Sequence, residues 1–388
     1  MKITCPMCQE DARCVAYRSK ALVSLLGSVR LERPYYHCAT CGEGFCPWDL
    51  ELGVNSAALS PGAAEVACMA GVQTSFAEAS EKVLPKLAGL RLAESTVERT
   101  TEAAGLRLAT AQQAGQPVGL AQHWAWHQDA TGKTVAYVAV DATGVPQQGP
   151  QGAQAASRMA NVAVIYNPVP DDPARWADPT AGREPRWQAH YVASLEPLAD
   201  LGALIRQQGV AVGIERAERW IALSDGGRGL EEFLRLNFPR VEAVILDFYH
   251  AAEHLSDLAK AWYGADTPAA EALGQAWCHQ LKHAGGQAVL TMLRELDRQD
   301  CSTAARECYR ETVRYVENQV HRMDYPYYRA QGWQIGSGPV ESACKRVVGQ
   351  RLKGAGMRWG EEGAEAVCRL RALFLSESGQ WDAFWSRN

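Results

Sequence analysis

Residues 333–359, WQIGSGPVESACKRVVGQRLKGAGMRW, place one carboxylate, Glu341, at the head of a predicted helix, behind a flexible Gly-Ser-Gly-Pro approach at 336–339. Lys345, Arg346, Arg351, Lys353 and Arg358 follow, with no acid before Glu361. Glu341, Lys345 and Val348 stand at i, i+4 and i+7, which predicts a shared helical face. A single acid leading a basic helix suits a metal ligand beside a phosphate backbone, with those five cations as DNA contacts. A capped helix carries the same local signature: Gly-Ser before it, an acid at the positive end of its dipole, cations beyond. Two acids further upstream favour the ligand.

Those acids follow apolar runs. KTVAYVAVD (133–141), RMANVAVIYN (158–167) and RWQAHYVASL (186–195) predict three strands. EPLADLGALIRQQGV then predicts a helix, RWIALSDGG (219–227) a strand, RGLEEFLRLNF a helix and VEAVILD (241–247) a strand. Three consecutive strands suit an antiparallel meander; strands alternating with helices suit parallel crossovers. The expected fold class is α/β, with a ribonuclease-H-like mixed sheet over residues 121–250. A strand-free helical insertion at 251–325 and C-terminal helices carrying Glu341 at 326–388 complete it. Asp141 and Asp225 each end a predicted strand, where carboxylates point into the crevice above a sheet. With Glu341 they form an oxygen-rich set suited to two Mg²⁺ ions. Taken singly, such an acid is usually a turn residue or a helix N-cap; three in the right topological slots favour the metal site.

Asp247-Phe248-Tyr249-His250 opens a helix that continues through Glu253 and His254. Asp247 and His250 share a helical face, as do His250 and His254. His-x-x-Glu-His is the inverted zinc-protease order, which makes a zinc hydrolase a rival reading. An Asp247–His250 hydrogen bond bracing the helix against the sheet is the plainer one.

Residues 1–55 carry Cys5-Pro-Met-Cys8 and Cys38-Ala-Thr-Cys41, about 30 residues apart. Four such thiolates suit one tetrahedral Zn²⁺, held between two short strands around Gly27 in a zinc ribbon. So little apolar mass leaves the metal to supply the folding energy. Cys14, His37 and Cys46 lie nearby in sequence, and Cys46 is the one able to substitute as a ligand. Residues 56–120 predict a small helical, helix-turn-helix-like region. Pro61 stands near a helix start, Pro85 breaks a helix, and Ser95 caps another with Glu98 three residues on. A plain helical spacer fits that stretch equally.

The 388 residues carry 39 basic and 44 acidic side chains, a net charge of -5, so nucleic-acid binding would rest on local basic surfaces rather than total charge. No apolar run reaches the roughly 18 residues of a membrane span, and MKITCPMCQE lacks a signal-peptide core. The expected compartment is the cytoplasm, beside the nucleoid, with no membrane partner and the 12 Cys reduced or metal-bound.

VDATGVP (140–146), ILDFYHAAEHL (245–255), the Glu341 stretch (335–359) and WDAFW (381–385) together resemble the ISKra-type insertion-sequence transposases. That group is related to the Mutator-like class of the Asp-Asp-Glu superfamily. The resemblance implies metal-dependent phosphodiester cleavage and strand transfer at element ends by a homo-oligomer on DNA. It makes Asp141 the first catalytic acid and Glu341 the third. For the second, Asp225 ends the fourth strand, whereas Asp247 forms with His250 the Asp-x-x-His signature of Mutator-like relatives; Asp225 is preferred. Ala142 stands where the family usually has Gly. A catalytically silent, domesticated zinc-containing DNA-binding protein is the alternative.

Overall fold

The computed structural model describes residues 2–54, 58–168, 187–297, 302–377 and 379–386. The chain forms two compact units, Met1–Gly119 with Gly379–Asn388, and Leu120–Ser378. The last helix, Gln380–Ser386, therefore belongs to the first unit, whereas the sequence ran the core to its end.

The first unit opens with an antiparallel sheet of β1 (Lys2–Thr4), β2 (Asp11–Ser24), β3 (Gly27–Cys38) and β4 (Gly44–Phe45), paired in chain order. The strands around Gly27 are long, not short: 14 and 12 residues. Their length is hidden in the sequence because most of β2 is exposed on both faces, so no apolar alternation marks it. Backbone pairing and cross-strand contacts carry the ribbon, such as the Arg18 guanidinium 3.4 Å from the Tyr35 ring centroid. After α1 (Pro47–Glu51), α2 (Pro61–Gln73) starts at its predicted proline, and Ser60 caps it by accepting from Ala63 N–H at 3.3 Å. Pro85 does not break the next helix. Phe76–Glu78 runs on into a π-type helix, Ala79–Ala88, whose wider winding contains the proline that lacks a donor. α3 (Glu94–Gln113) begins before Ser95, behind Ala93, without a side-chain cap.

In the second unit, Val135 to Val140 are all buried and alternate between two cores. Val135, Tyr137 and Ala139 face one, Ala136, Val138 and Val140 the other, as a strand buried on both faces requires. The five strands are β5 (Val135–Gln148), β6 (Gln154–Pro168), β7 (Trp187–Ser194), β8 (Arg219–Ser224) and β9 (Val241–Leu246). Their order is β7-β6-β5-β8-β9. β5–β6 and β6–β7 are antiparallel; β5–β8 and β8–β9 are parallel. The expected mixed α/β architecture with a mixed sheet is thus the one adopted. α4 (Leu198–Val212) and α5 (Leu230–Asn237) cover one face.

The strand expected to stop at Asp141 continues to Gln148. Ala142-Thr143-Gly144 reads locally as a turn, but β6 pairs with it throughout, from Asp141↔Val162 to Gln148↔Gln154. Pairing with β8 ends at Ala139↔Leu223, so Asp141 lies just past the end of its parallel neighbour.

The other face carries α6 (Phe248–Tyr263), α7 (Pro268–Glu295), α8 (Thr303–Gln319) and α9 (Tyr325–Ala330). Among the described residues, 251–325 contains no strand. α7 joins two predicted helices across a kink at Gly285, where φ is 80° and ψ 174° and the next N–H, of Gly286, donates to Met323 O at 3.0 Å. Glycine meets that positive φ without strain. No described helix is long and apolar enough to cross a membrane.

Arg322, 2% exposed, ties these helices to the sheet. Its guanidinium donates to Ser224 Oγ at 2.6 Å, to Val244 O at 3.2 Å and to Ser224 O at 3.4 Å, all at the ends of β8 and β9. Arg322→Met should destabilise this unit by about 3–5 kcal/mol, because Val244 O and the Ser224 hydroxyl lose a buried charged donor; urea unfolding measures it.

His190 is fully buried, with its ring nitrogens 2.9 Å from Gln208 Oε1 and 3.1 Å from Gln122 Oε1. Burial holds its pKa down to about 4, against 6.5 for the free side chain. The unfolded chain therefore binds this proton more readily, and the site's contribution is lost as pH falls from 6.5 towards 4. The expected loss relative to His190→Gln is about 3 kcal/mol across that window, read from denaturation at each pH.

Candidate functional site

Two turns with one hydrogen-bond pattern present the four N-terminal thiols. Cys5 N–H donates to Glu10 O at 2.8 Å and Cys38 N–H to Glu43 O at 2.9 Å. Gln9 and Gly42 N–H return to the Cys5 and Cys38 carbonyls at 3.0 and 2.9 Å. The Sγ atoms of Cys5, Cys8, Cys38 and Cys41 all lie within 4.8 Å of one another. Cys5–Cys41 is 3.6 Å and Cys8–Cys38 is 3.5 Å. Tetrahedral sulfur ligands about 2.3 Å from a zinc ion stand about 3.8 Å apart, so this cluster could hold one. Backbone N–H groups of Cys41 and Thr40 stabilise the Cys38 thiolate and bring its pKa down to about 6. Cys46 is buried outside the cluster, and the Cys14 thiol donates to Ala16 O, so neither is needed as a ligand.

The acids gather at the ends of the parallel strands. Asp225 follows β8; one of its oxygens accepts from Gly227 N–H at 2.9 Å. Asp247 follows β9, is 1% exposed, and caps α6 by accepting from Tyr249 N–H at 2.7 Å. Glu341 stands in α10 (Gly338–Ala343), which packs on β5 and β6. One turn on, the Cys344 thiol donates to Asp141 Oδ2 at 3.4 Å, which draws the Glu341 helix to the β5 acid. Ser337 Oγ lies 2.8 Å from Glu341 Oε1 and also contacts Asp247 Oδ2. A hydroxyl carries one hydrogen, so both contacts are hydrogen bonds together only when one carboxyl is protonated.

Electrostatics agree with this crowding. Burial raises Asp141 above the usual carboxylate range; the Ala142 N–H, 2.6 Å away, opposes it and the Asp225 charge adds to it. For Glu341 the Ser337 hydrogen bond lowers the pKa, but burial and the Asp247 and Asp141 carboxylates together outweigh it and raise the group. The carboxylates are more widely spaced than the thiols: among the described residues, only the four Cys form a group of three or more ligand atoms all within 4.8 Å.

The helix after Glu341 departs from its predicted face. α10 ends at Ala343 and the chain widens into π-type winding over Cys344–Gly349. Glu341 and Lys345 are both exposed while Val348 is fully buried, so Val348 leaves the predicted face. Arg346, Lys353 and Arg358 are exposed: Arg346 reaches Tyr191 Oη at 3.3 Å, Lys353 contacts Thr143 Oγ1, and Arg358 donates to Gly152 O at 3.1 Å. Arg351 is 1% exposed and 4.8 Å from the Trp359 ring centroid, which removes it from the expected DNA contacts. Burial, aided by Arg371, brings its pKa down to about 10. Trp333 and Trp359 are core residues, bonded to Asp129 Oδ2 and Leu352 O.

The expected Asp247–His250 hydrogen bond does not form, because Tyr249 N–H and the Ser337 hydroxyl hold the two Asp247 oxygens. His250 Nδ1 instead lies 3.7 Å from Glu253 Oε2 and its ring 5.3 Å from that of His254. Ser337 and Cys344 carry no sequence signal beyond their spacing from Glu341: four residues before, three after.

No family model matches this sequence, and no curated protein matches it.

Proposed function

We propose that this chain is a DNA transposase of the Asp-Asp-Glu type, built on a ribonuclease-H-like core. The observation that carries the reading is the thiol bridge between Asp141 and the helix of Glu341, beside two further acids at adjacent strand ends. Residues separated by 200 positions converge there, and their pKa values are raised by burial first and by the neighbouring carboxylates second. The strand order, with an antiparallel meander joined to two parallel strands, supports the core assignment.

Asp141, Asp225 and Glu341 would hold two Mg²⁺ ions. Hard carboxylate oxygens fit that ion, and in a pair of ions about 3.5–4 Å apart the outer acids each serve one ion and need not touch. Bound there, Mg²⁺ supplies positive charge at the attacking and leaving oxygens of a phosphodiester. Asp225 is favoured over Asp247 as the second ligand. Both Asp247 oxygens are engaged, whereas Asp225 shows one engaged oxygen. Asp247 then acts as a positioning residue, holding Ser337 and through it Glu341. Lys345, Arg346, Lys353 and Arg358 would fix the DNA by its phosphates. Water attack at phosphorus frees a 3′ hydroxyl, which then attacks target DNA.

The zinc ribbon and the helices after it would recognise element ends, and the chain would work as a homo-oligomer on DNA. A hydrolase built on His250 and His254 gains no support, since no third ligand joins them among the described residues. The test is incubation with Mg²⁺ and linear DNA carrying the gene with its flanking sequence. Nicks at discrete positions on either side of the gene, lost in Glu341→Gln, are expected; tight binding without cutting by the unaltered protein favours the silent DNA-binding alternative.

A further inference from the structure

A cavity of about 600 Å³ opens beside the Glu341 helix, between β6 and β7, the start of α6, and the 333–338 stretch. Its charged lining is all of one sign: Lys282, Arg329 and Arg346, with no carboxylate among the described residues that form it. Its walls are aromatic. Tyr249, 66% exposed, lies two residues after Asp247, and its ring edge sits where a Cβ on Gly336 would stand, 2.7 Å away. Tyr191 faces it from β7, its hydroxyl held by Arg346 at 3.3 Å. Pro339 and Ser342, on either side of Glu341 in sequence, also line the cavity, so it runs along the helix that carries Glu341 while the acids themselves lie outside its lining.

Three cations, aromatic rings and a volume in the range of small-molecule pockets match one chemical class, a nucleotide with its base unstacked. A paired base would keep its rings inside the duplex, out of reach of Tyr249. We infer that this cavity receives one unpaired nucleotide of the DNA adjoining the cleaved bond, its base against Tyr249 and its phosphates on Lys282, Arg329 and Arg346. The inference rests on the proposed function, since the neighbouring acids give the nucleotide its place.

Fluorescence anisotropy of a labelled octathymidylate, with the full chain and no added Mg²⁺, tests it. Binding needs no cutting there, so a failure of the cleavage reading does not decide the outcome. Tyr249→Ala should weaken octathymidylate binding about tenfold, the scale of one base–aromatic stack, and Tyr249→Phe should restore it. An abasic strand of the same length should bind weakly and be indifferent to Tyr249→Ala. Lys282→Ala with Arg329→Ala should weaken both strands and flatten the salt dependence. Equal binding of the abasic strand, or no effect of Tyr249→Ala on octathymidylate, overturns the nucleotide pocket even if the protein cuts DNA.

Discussion

Asp141→Asn is expected to reduce Mg²⁺-dependent DNA cleavage by about a thousandfold or more while leaving DNA affinity unchanged. The substitution keeps the shape and the acceptor for the Ala142 N–H, but removes the carboxylate charge that accepts from Cys344 and acts on Glu341. Stability should move the other way. Asp141 has its pKa raised by burial and by Asp225, so the folded state holds its proton more tightly than the unfolded chain. The ionised group is then a net cost at neutral pH, and Asn removes it. The melting temperature should be equal or higher. A variant with full cleavage activity, or with activity lost only in proportion to folded protein, removes Asp141 from the chemistry.

Cys5→Ser should carry the largest effect on the first unit. Structural zinc contributes about 10–16 kcal/mol to small domains that fold around it. The Cys5–Cys8–Cys38–Cys41 cluster stands at the end of the ribbon opposite its Ser24–Gly27 turn, and the long strands are mostly exposed. Little apolar burial remains to hold β1 and β4 once the metal is lost. Metal analysis should show one zinc per chain falling to none, and residues 2–46 should become sensitive to protease. Zinc retained by the variant would point to a second metal site and revive the His250–His254 hydrolase. Cys46→Ser should change neither readout, because Cys46 lies outside the cluster.

Much of the larger unit was legible because its signals are local. The buried run Val135–Val140 has no room for polar residues, and the helix-strand alternation after residue 195 follows from composition alone. The signals failed where long-range pairing overrode them. Ala142-Thr143-Gly144 has turn chemistry, yet the register with β6 keeps it extended. Tyr17-Arg18-Ser19-Lys20 has no buried face, yet it pairs along β3. Pro85 breaks an α-helix but fits a π-type one.

The candidate site divides along the same line. Asp225 and Asp247 could be recognised as acids closing apolar strands, and Glu341 as an acid opening a helix. Nothing local distinguished the Asp whose oxygens are both engaged from the one with a single engaged oxygen. That difference comes from Ser337, 90 residues away in sequence from Asp247. Arg351 looks in sequence like the cations around it, and only the widened winding after Ala343 turns it inward.

By itself the sequence determined the periodicities, the paired Cys-x-x-Cys turns and the order of strands and helices, because each depends on neighbours a few residues apart. The tertiary structure alone decided which acids meet, which cation is buried, and that an aromatic, cationic cavity opens beside Glu341. Those outcomes depend on groups far apart in the chain being brought together by the sheet and its covering helices, and no short window of residues contains that information.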